Sequence, residues 1–117
     1  MPVWLNGGPG CSSLEGLTYE NGPLSFVGNA TAPVANPYSW TKLANILYVD
    51  QPIGVGYSTG SNEATDNADV TQDFYNWLKA FYAVFPELKT KDTYIMGESY
   101  AGVYVSAEMI SYASMSY

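Results

Sequence analysis

The sequence predicts an α/β protein built on a parallel sheet, and three observations carry that prediction. Three short apolar runs have strand character: Val3-Trp4-Leu5, Ile46-Leu47-Tyr48-Val49 and Thr93-Tyr94-Ile95-Met96. A long helical stripe separates the second run from the third, and the first and third each run straight into a glycine-containing turn. The order strand, glycine loop, strand, helix, strand, tight turn, helix is the alternation that produces crossovers over a parallel sheet.

Val3-Trp4-Leu5 is closed by Asn6-Gly7-Gly8-Pro9-Gly10, where three glycines and a proline prevent any regular element. Residues 18 to 40 carry Gly22, Pro23, Gly28, Pro33 and Pro37, and read as loops and turns with room for one hairpin. Ile46-Leu47-Tyr48-Val49, closed by Asp50-Gln51-Pro52, has the unbroken apolar pattern of a strand buried on both faces. From Asp66 to Phe85 the apolar residues Val70, Phe74, Trp77, Leu78, Phe81, Tyr82 and Phe85 fall at offsets 0, 4, 7, 8, 11, 12 and 15, one face of a helix. Asp66 or Asn67 caps its start, Asp69 suits the positive end of its dipole, and Pro86 ends it. The aromatic stripe reads as core. After the third strand a second helix is expected, marked by Val103, Ala107 and Ile110.

Composition narrows the function. The 117 residues hold one small domain, and 47% of them are hydrophobic against 13% charged, the balance of a packed interior. Four lysines, no arginine and 11 carboxylates give a net charge of -7, which leaves no phosphate-neutralising surface: nucleic acid is not an expected partner, nor is an anionic membrane. No stretch reaches the roughly 20 apolar residues of a membrane span. Met1-Pro2-Val3-Trp4-Leu5 shows neither the basic nor the long apolar segment of a signal peptide. There is no histidine and one cysteine, Cys11, so these residues hold no complete Ser-His-Asp site and no metal knuckle, and neither metal nor cofactor is expected. Asn29-Ala30-Thr31 is an N-glycosylation acceptor, meaningful on the secretory route.

The third strand enters Gly97-Glu98-Ser99-Tyr100-Ala101-Gly102 and then a helix, the pattern of a nucleophile elbow, in which a serine sits on a tight turn with its hydroxyl exposed above the sheet. The turn is crowded, so the positions two before and two after the serine must be small; Gly97 and Ala101 meet that requirement. An oxyanion also needs backbone N–H donors from a loop after an earlier strand, and Asn6-Gly7-Gly8-Pro9-Gly10 stands in that place.

Trp4-Leu5-Asn6-Gly7-Gly8-Pro9-Gly10-Cys11-Ser12-Ser13 and Gly97-Glu98-Ser99-Tyr100-Ala101-Gly102 resemble the two signature motifs of the serine carboxypeptidase family. Glu20-Asn21-Gly22-Pro23, Asn36-Pro37-Tyr38-Ser39-Trp40, the stretch from Ala44 to Ser58 and the helix bearing Asp73-Phe74 resemble the family's intervening segments in order, so residues 2 to 105 are covered. The resemblance implies an α/β-hydrolase fold, with residues 1–117 as the N-terminal part of a single domain, truncated after the elbow. It implies Ser99 as nucleophile, the backbone N–H groups of Gly8 and Tyr100 as oxyanion hole, and Asn6, Gly7, Glu20 and Glu98 as binders of the substrate's C-terminal carboxylate. Trp4 would support that cluster, and Tyr100 would border the pocket for the residue before the scissile bond. A glutamate facing another carboxylate must be protonated to donate a hydrogen bond, which ties such binding to acid pH.

The family's Asp and His follow the serine in chain order, and neither partner is among these residues; the cysteine that pairs with Cys11 in the family is likewise absent. Ser106 stands where the family commonly has proline, and the tail Ser114-Met115-Ser116-Tyr117 matches no family segment. The expectation is a fragment of a serine-type carboxypeptidase, inactive alone, whose parent releases C-terminal residues of peptides in a secreted, vacuolar or lysosomal setting. Two alternatives stand beside it. One is a carboxypeptidase-like acyltransferase, told apart by transfer to an alcohol instead of water. The other is a non-catalytic carboxylate-binding remnant, told apart by binding that needs Glu98 but not Ser99.

Overall fold

The computed structural model describes residues 1–61 and 63–113, without the side chains of residues 111 and 112, so the unmatched tail lies outside the described residues. Strand β1 (Pro2–Leu5) is the middle of a three-stranded parallel sheet in the order β4-β1-β5, with β4 at Leu47–Tyr48 and β5 at Tyr94–Gly97. Register places Val3 opposite Leu47 on one side and Ile95 on the other, and Leu5 opposite Gly97. Its central position buries Val3 and Leu5 completely. A two-stranded antiparallel hairpin, β2 (Leu24–Ser25) with β3 (Val34–Ala35), is the one that residues 18 to 40 leave room for.

Because side chains alternate along a strand, Val3, Leu5 and Ile95 share one face. There they join Val70, Phe74 and Leu78 of helix α1 (Asn67–Val84) and Ala101 and Tyr104 of helix α2 (Ala101–Ala113) in a single cluster. Each such large apolar side chain contributes about 1.5–3 kcal/mol on burial. Asp66 is the cap of α1, accepting from the N–H groups of Ala68 (2.8 Å) and Asp69 (3.0 Å). Pro86 ends the helix and opens a 3-10 turn, Pro86–Thr90. Among the described residues no helix is long and apolar enough to cross a membrane.

Three expectations need correction. The run from Ile46 to Val49 is not buried on both faces: β4 is the outer strand of the described sheet and Leu47 and Tyr48 are half-buried. The stripe on α1 is fully core at Val70, Phe74 and Leu78, and the half-buried Trp77 and Tyr82 pack against that core; Phe81 is half-buried and Phe85 exposed, and the rings of Phe74, Trp77, Phe81 and Phe85 meet one another along the helix. On α2 the marking residues Val103 and Ile110 face out, while Ala101, Tyr104 and Glu108 face in. The phase of α2 is set at its start, where Ala101 must sit against Gly97, and positions three and seven further on follow it inward.

Candidate active site

β5 ends at Gly97 and α2 begins at Ala101, so strand becomes helix across Glu98, Ser99 and Tyr100. Ser99 takes φ +56°, the left-handed region that costs a side-chain-bearing residue of order 1–2 kcal/mol. Its neighbours hold it there: Glu98 N–H donates to Leu5 C=O (3.3 Å), and the N–H groups of Ala101 and Gly102 donate to the carbonyls of Glu98 and Ser99, each at 3.0 Å. A Cβ on Gly97 would lie 2.5 Å from both the Ala101 Cβ and the Leu5 carbonyl oxygen, so the small residues flanking the serine are a packing requirement. Ser99 itself is exposed.

The glycine loop leaves the end of β1 and lies against this elbow. A Cβ on Gly7 would stand 2.6 Å from Tyr100 N and 2.8 Å from the Glu98 carbonyl oxygen, so glycine alone permits the contact. Gly8 follows at φ +106°, and the Cys11 N–H closes the loop on the Gly7 carbonyl at 3.0 Å. Among the described residues the N–H groups of Gly8 and Tyr100 donate to nothing. Two unspent donors beside an exposed serine are what a developing oxyanion requires.

Asn6 is the hub behind the loop. Its Oδ1 accepts from Trp4 Nε1 (2.9 Å) and Gly16 N–H (3.1 Å), and its Nδ2 donates to Glu20 Oε1 (3.0 Å). Trp4 is in turn held edge-on by Trp40, with ring centroids 5.5 Å apart. Glu20 reaches Asn6 from the end of a π-helical turn, Gly16–Glu20, that composition gave no reason to expect; Gly16 is buried there because a Cβ would meet Trp4 Nε1 at 2.3 Å. The carboxylate of Glu98 accepts from Gly7 N–H at 3.4 Å, a long bond. Trp4, Asn6, Gly7, Gly8, Glu20, Glu98, Ser99 and Tyr100 are thus joined through one glycine loop and one elbow, although Asn6 is 1% exposed and serves the frame more than the surface. Tyr100 borders a cavity also lined by Pro9, Pro52, Asn67, Val70 and Tyr104. Its hydroxyl shares hydrogen bonds with the Asn67 amide, and its ring meets Tyr104 edge-on at 5.3 Å.

Cys11 is half-buried and free, and Asn29 is exposed in the β2–β3 hairpin. Asp50, absent from the expected site, receives Ser12 Oγ (2.6 Å) and Ser13 N–H (2.9 Å) on one oxygen and Tyr57 N–H (2.9 Å) on the other. The signal for it was a carboxylate closing a strand with glycines after it, which sequence alone does not tell from a solvated turn. Among the described residues no group of three or more His, Cys, Asp or Glu is placed to hold a metal.

A strand-to-helix turn presenting a serine in left-handed backbone, backed by a glycine loop with free N–H donors, defines the nucleophile-bearing part of an α/β-hydrolase fold. The family described as serine carboxypeptidase matches residues 1–112, and the chain belongs to it. It is 54% identical over 104 residues to a carboxypeptidase Y homolog of Arthroderma benhamiae, covering 88% of this chain and 21% of that protein. It is 50% identical over 103 residues to the pheromone-processing carboxypeptidase KEX1 of Ogataea parapolymorpha, covering 88% of this chain and 17% of that one. The crystal structure of Kex1(delta)p, a prohormone-processing carboxypeptidase from Saccharomyces cerevisiae, superposes with a TM-score of 0.90 at 34% identity, covering 98% of this chain and 26% of that chain. The chain spans about a fifth of the length of the curated relatives it matches.

Proposed function

We propose that this chain is the nucleophile-bearing segment of a serine-type carboxypeptidase that releases C-terminal residues from peptides through an acyl-enzyme on Ser99. The observation that carries the reading is the seating of Gly7 against Tyr100 N, which sets two unspent N–H donors, Gly8 and Tyr100, beside an exposed serine. In this reading Ser99 Oγ attacks the scissile carbonyl, and those two N–H groups receive the oxygen as it becomes negative. The exposed Glu20 and Glu98 meet the substrate's free carboxylate, and the buried Asn6 and Gly7, which donate to them, hold them in place with Trp4 bracing Asn6. The chain has no histidine, so the base that takes the serine proton lies outside these residues. The partner is a peptide with a free C-terminal carboxylate. The family relation, the exposed sequon at Asn29 and the unpaired Cys11 support a secretory-route location, vacuolar or lysosomal in the finer reading.

The test is the natural reading frame that carries this chain, assayed on a blocked dipeptide and on its amide. The acid is expected to be hydrolysed and the amide spared, with Ser99→Ala costing about 10⁴- to 10⁶-fold in turnover. Hydrolysis indifferent to Ser99→Ala or to the free carboxylate refutes the proposal, and acyl transfer to an alcohol in place of hydrolysis reassigns it to an acyltransferase.

A further inference from the structure

We infer that Asp50 is a positioning residue that holds the glycine loop at the elbow and so sets the place of the Gly8 N–H donor; the inference rests on the proposed role of that donor. Besides its own Cys11-to-Gly7 bond and the approach of the Gly10 backbone to the Tyr104 hydroxyl, the loop has little to fix it there. Among the described residues the one hydrogen bond between loop and elbow, Gly7 N–H to Glu98 Oε1, is 3.4 Å long, at the weak end of such contacts. At its start the loop is fixed by β1 and Asn6. At its far end Ser12 and Ser13 are fixed by Asp50, whose single oxygen Oδ1 takes both Ser12 Oγ at 2.6 Å and Ser13 N–H at 2.9 Å. Hydrogen bonds to an ionised acceptor are about twice as strong as neutral ones.

Ser13, 1% exposed, carries the constraint onward: its hydroxyl donates to Val49 C=O (2.6 Å) and accepts from Asn6 N–H (3.0 Å), bringing the end of the loop back to its beginning. Asp50 is itself held in place. Its Oδ2 accepts from Tyr57 N–H, its backbone carbonyl accepts from Ser58 Oγ (2.8 Å), and a Cβ on Gly56 would lie 2.0 Å from Oδ2. One carboxylate therefore ties the segment after β4 to the loop after β1, and neither of them contains the nucleophile.

The experiment compares Asp50→Ala and Ser12→Ala with the parent in the natural full-length protein, with reactive serines counted by a fluorophosphonate label. Turnover per labelled site is expected to fall about 10²-fold in Asp50→Ala, the scale of losing one oxyanion donor, with KM changed less than about threefold. Affinity for a peptide boronate, which mimics the tetrahedral intermediate, should fall in step. Ser12→Ala removes one of the clasp's bonds and keeps the fold, so a loss of about tenfold is expected even if Asp50→Ala does not fold. Turnover per labelled site unchanged in both variants, with losses only in the number of labelled sites, means a purely structural carboxylate and overturns the inference. A parent that neither labels at Ser99 nor hydrolyses peptides instead removes the reading on which the inference rests.

Discussion

Among the described residues, the glycine loop and elbow leave the N–H donors of Gly8 and Tyr100 unpaired next to an exposed serine, and beneath α2 Gln51 Oε1 and Glu108 Oε2 are unpaired and sealed from solvent. The two regions differ in what surrounds the unpaired atom. Unspent donors that water can reach cost little while the site is empty and are ready for a developing charge. Unspent acceptors in the interior carry the full desolvation cost, and burial pushes the Glu108 carboxyl up to about 7, a rise that the hydrogen bond from Gln51 Nε2 (3.0 Å) partly opposes. Under the proposed function the same deficit is an asset in one place and a titratable strain in the other.

The largest effect is expected from forcing the two glycines of the motifs apart in behaviour. Gly7→Ala places a methyl group 2.6 Å from Tyr100 N, so the loop must lift from the elbow, and turnover per labelled serine in the full-length protein should fall about 10²- to 10³-fold. Gly102, three residues past Ser99 in the first turn of α2, has nothing within 4 Å of its would-be Cβ. Gly102→Ala should therefore keep turnover and add about 0.5–1 kcal/mol of stability, read from the urea midpoint. Equal losses in the two variants would mean that the close approach of loop and elbow is not what the site depends on.

Glu108 supplies the next effect. Its value in the folded chain, about 7, lies above the ordinary 4.5, so on raising the pH the unfolded chain ionises first. Stability is then full below about pH 4.5, declines through the window up to about 7 and stays low above it, by roughly 3 kcal/mol in all at 1.36 kcal/mol per pKa step. Below that window Glu108 is neutral and its buried Oε2 no longer carries an unpaired charge. Glu108→Gln is neutral at every pH. Urea midpoints at pH 5 and pH 8 should differ for the parent and coincide for the variant, and a variant that keeps the parent's slope would place the titrating group elsewhere.

Local pattern made some of this legible and geometry hid the rest. β1, α1 and the elbow were readable because their constraints lie within a few residues: a strand ending in glycines, a 3.6-residue stripe between Asp66 and Pro86, small residues flanking Ser99. The inward face of α2 was not, because apolar residues occur on all sides of that helix and its phase is decided by the contact of Ala101 with Gly97 across the turn. Asp50 was missed for a related reason. Its partners Ser12 and Ser13 lie 38 and 37 positions away, and a carboxylate after a strand looks the same whether it faces water or a loop. Of the residues proposed to bind the substrate's carboxylate, Asn6 and Glu20 are joined directly, Glu20 standing at the end of the π-helical turn Gly16–Glu20.

The smallest effect, at the start of α1, tests whether the contrast depends on burial or only on polar pairing. Asp66 is exposed and fully used, its side chain serving two of the N–H groups that a helix start leaves free. Asp66→Ala should cost about 1 kcal/mol, because the freed N–H groups can turn to water. That loss is a third of the Glu108 effect although two hydrogen bonds go where Gln51 and Glu108 share one. Measured by urea denaturation beside Glu108→Gln, it should leave the pH dependence intact. A loss above about 2 kcal/mol would mean that the start of α1 is shielded, and that its pairing, like that of Gln51 and Glu108, is enforced by the interior.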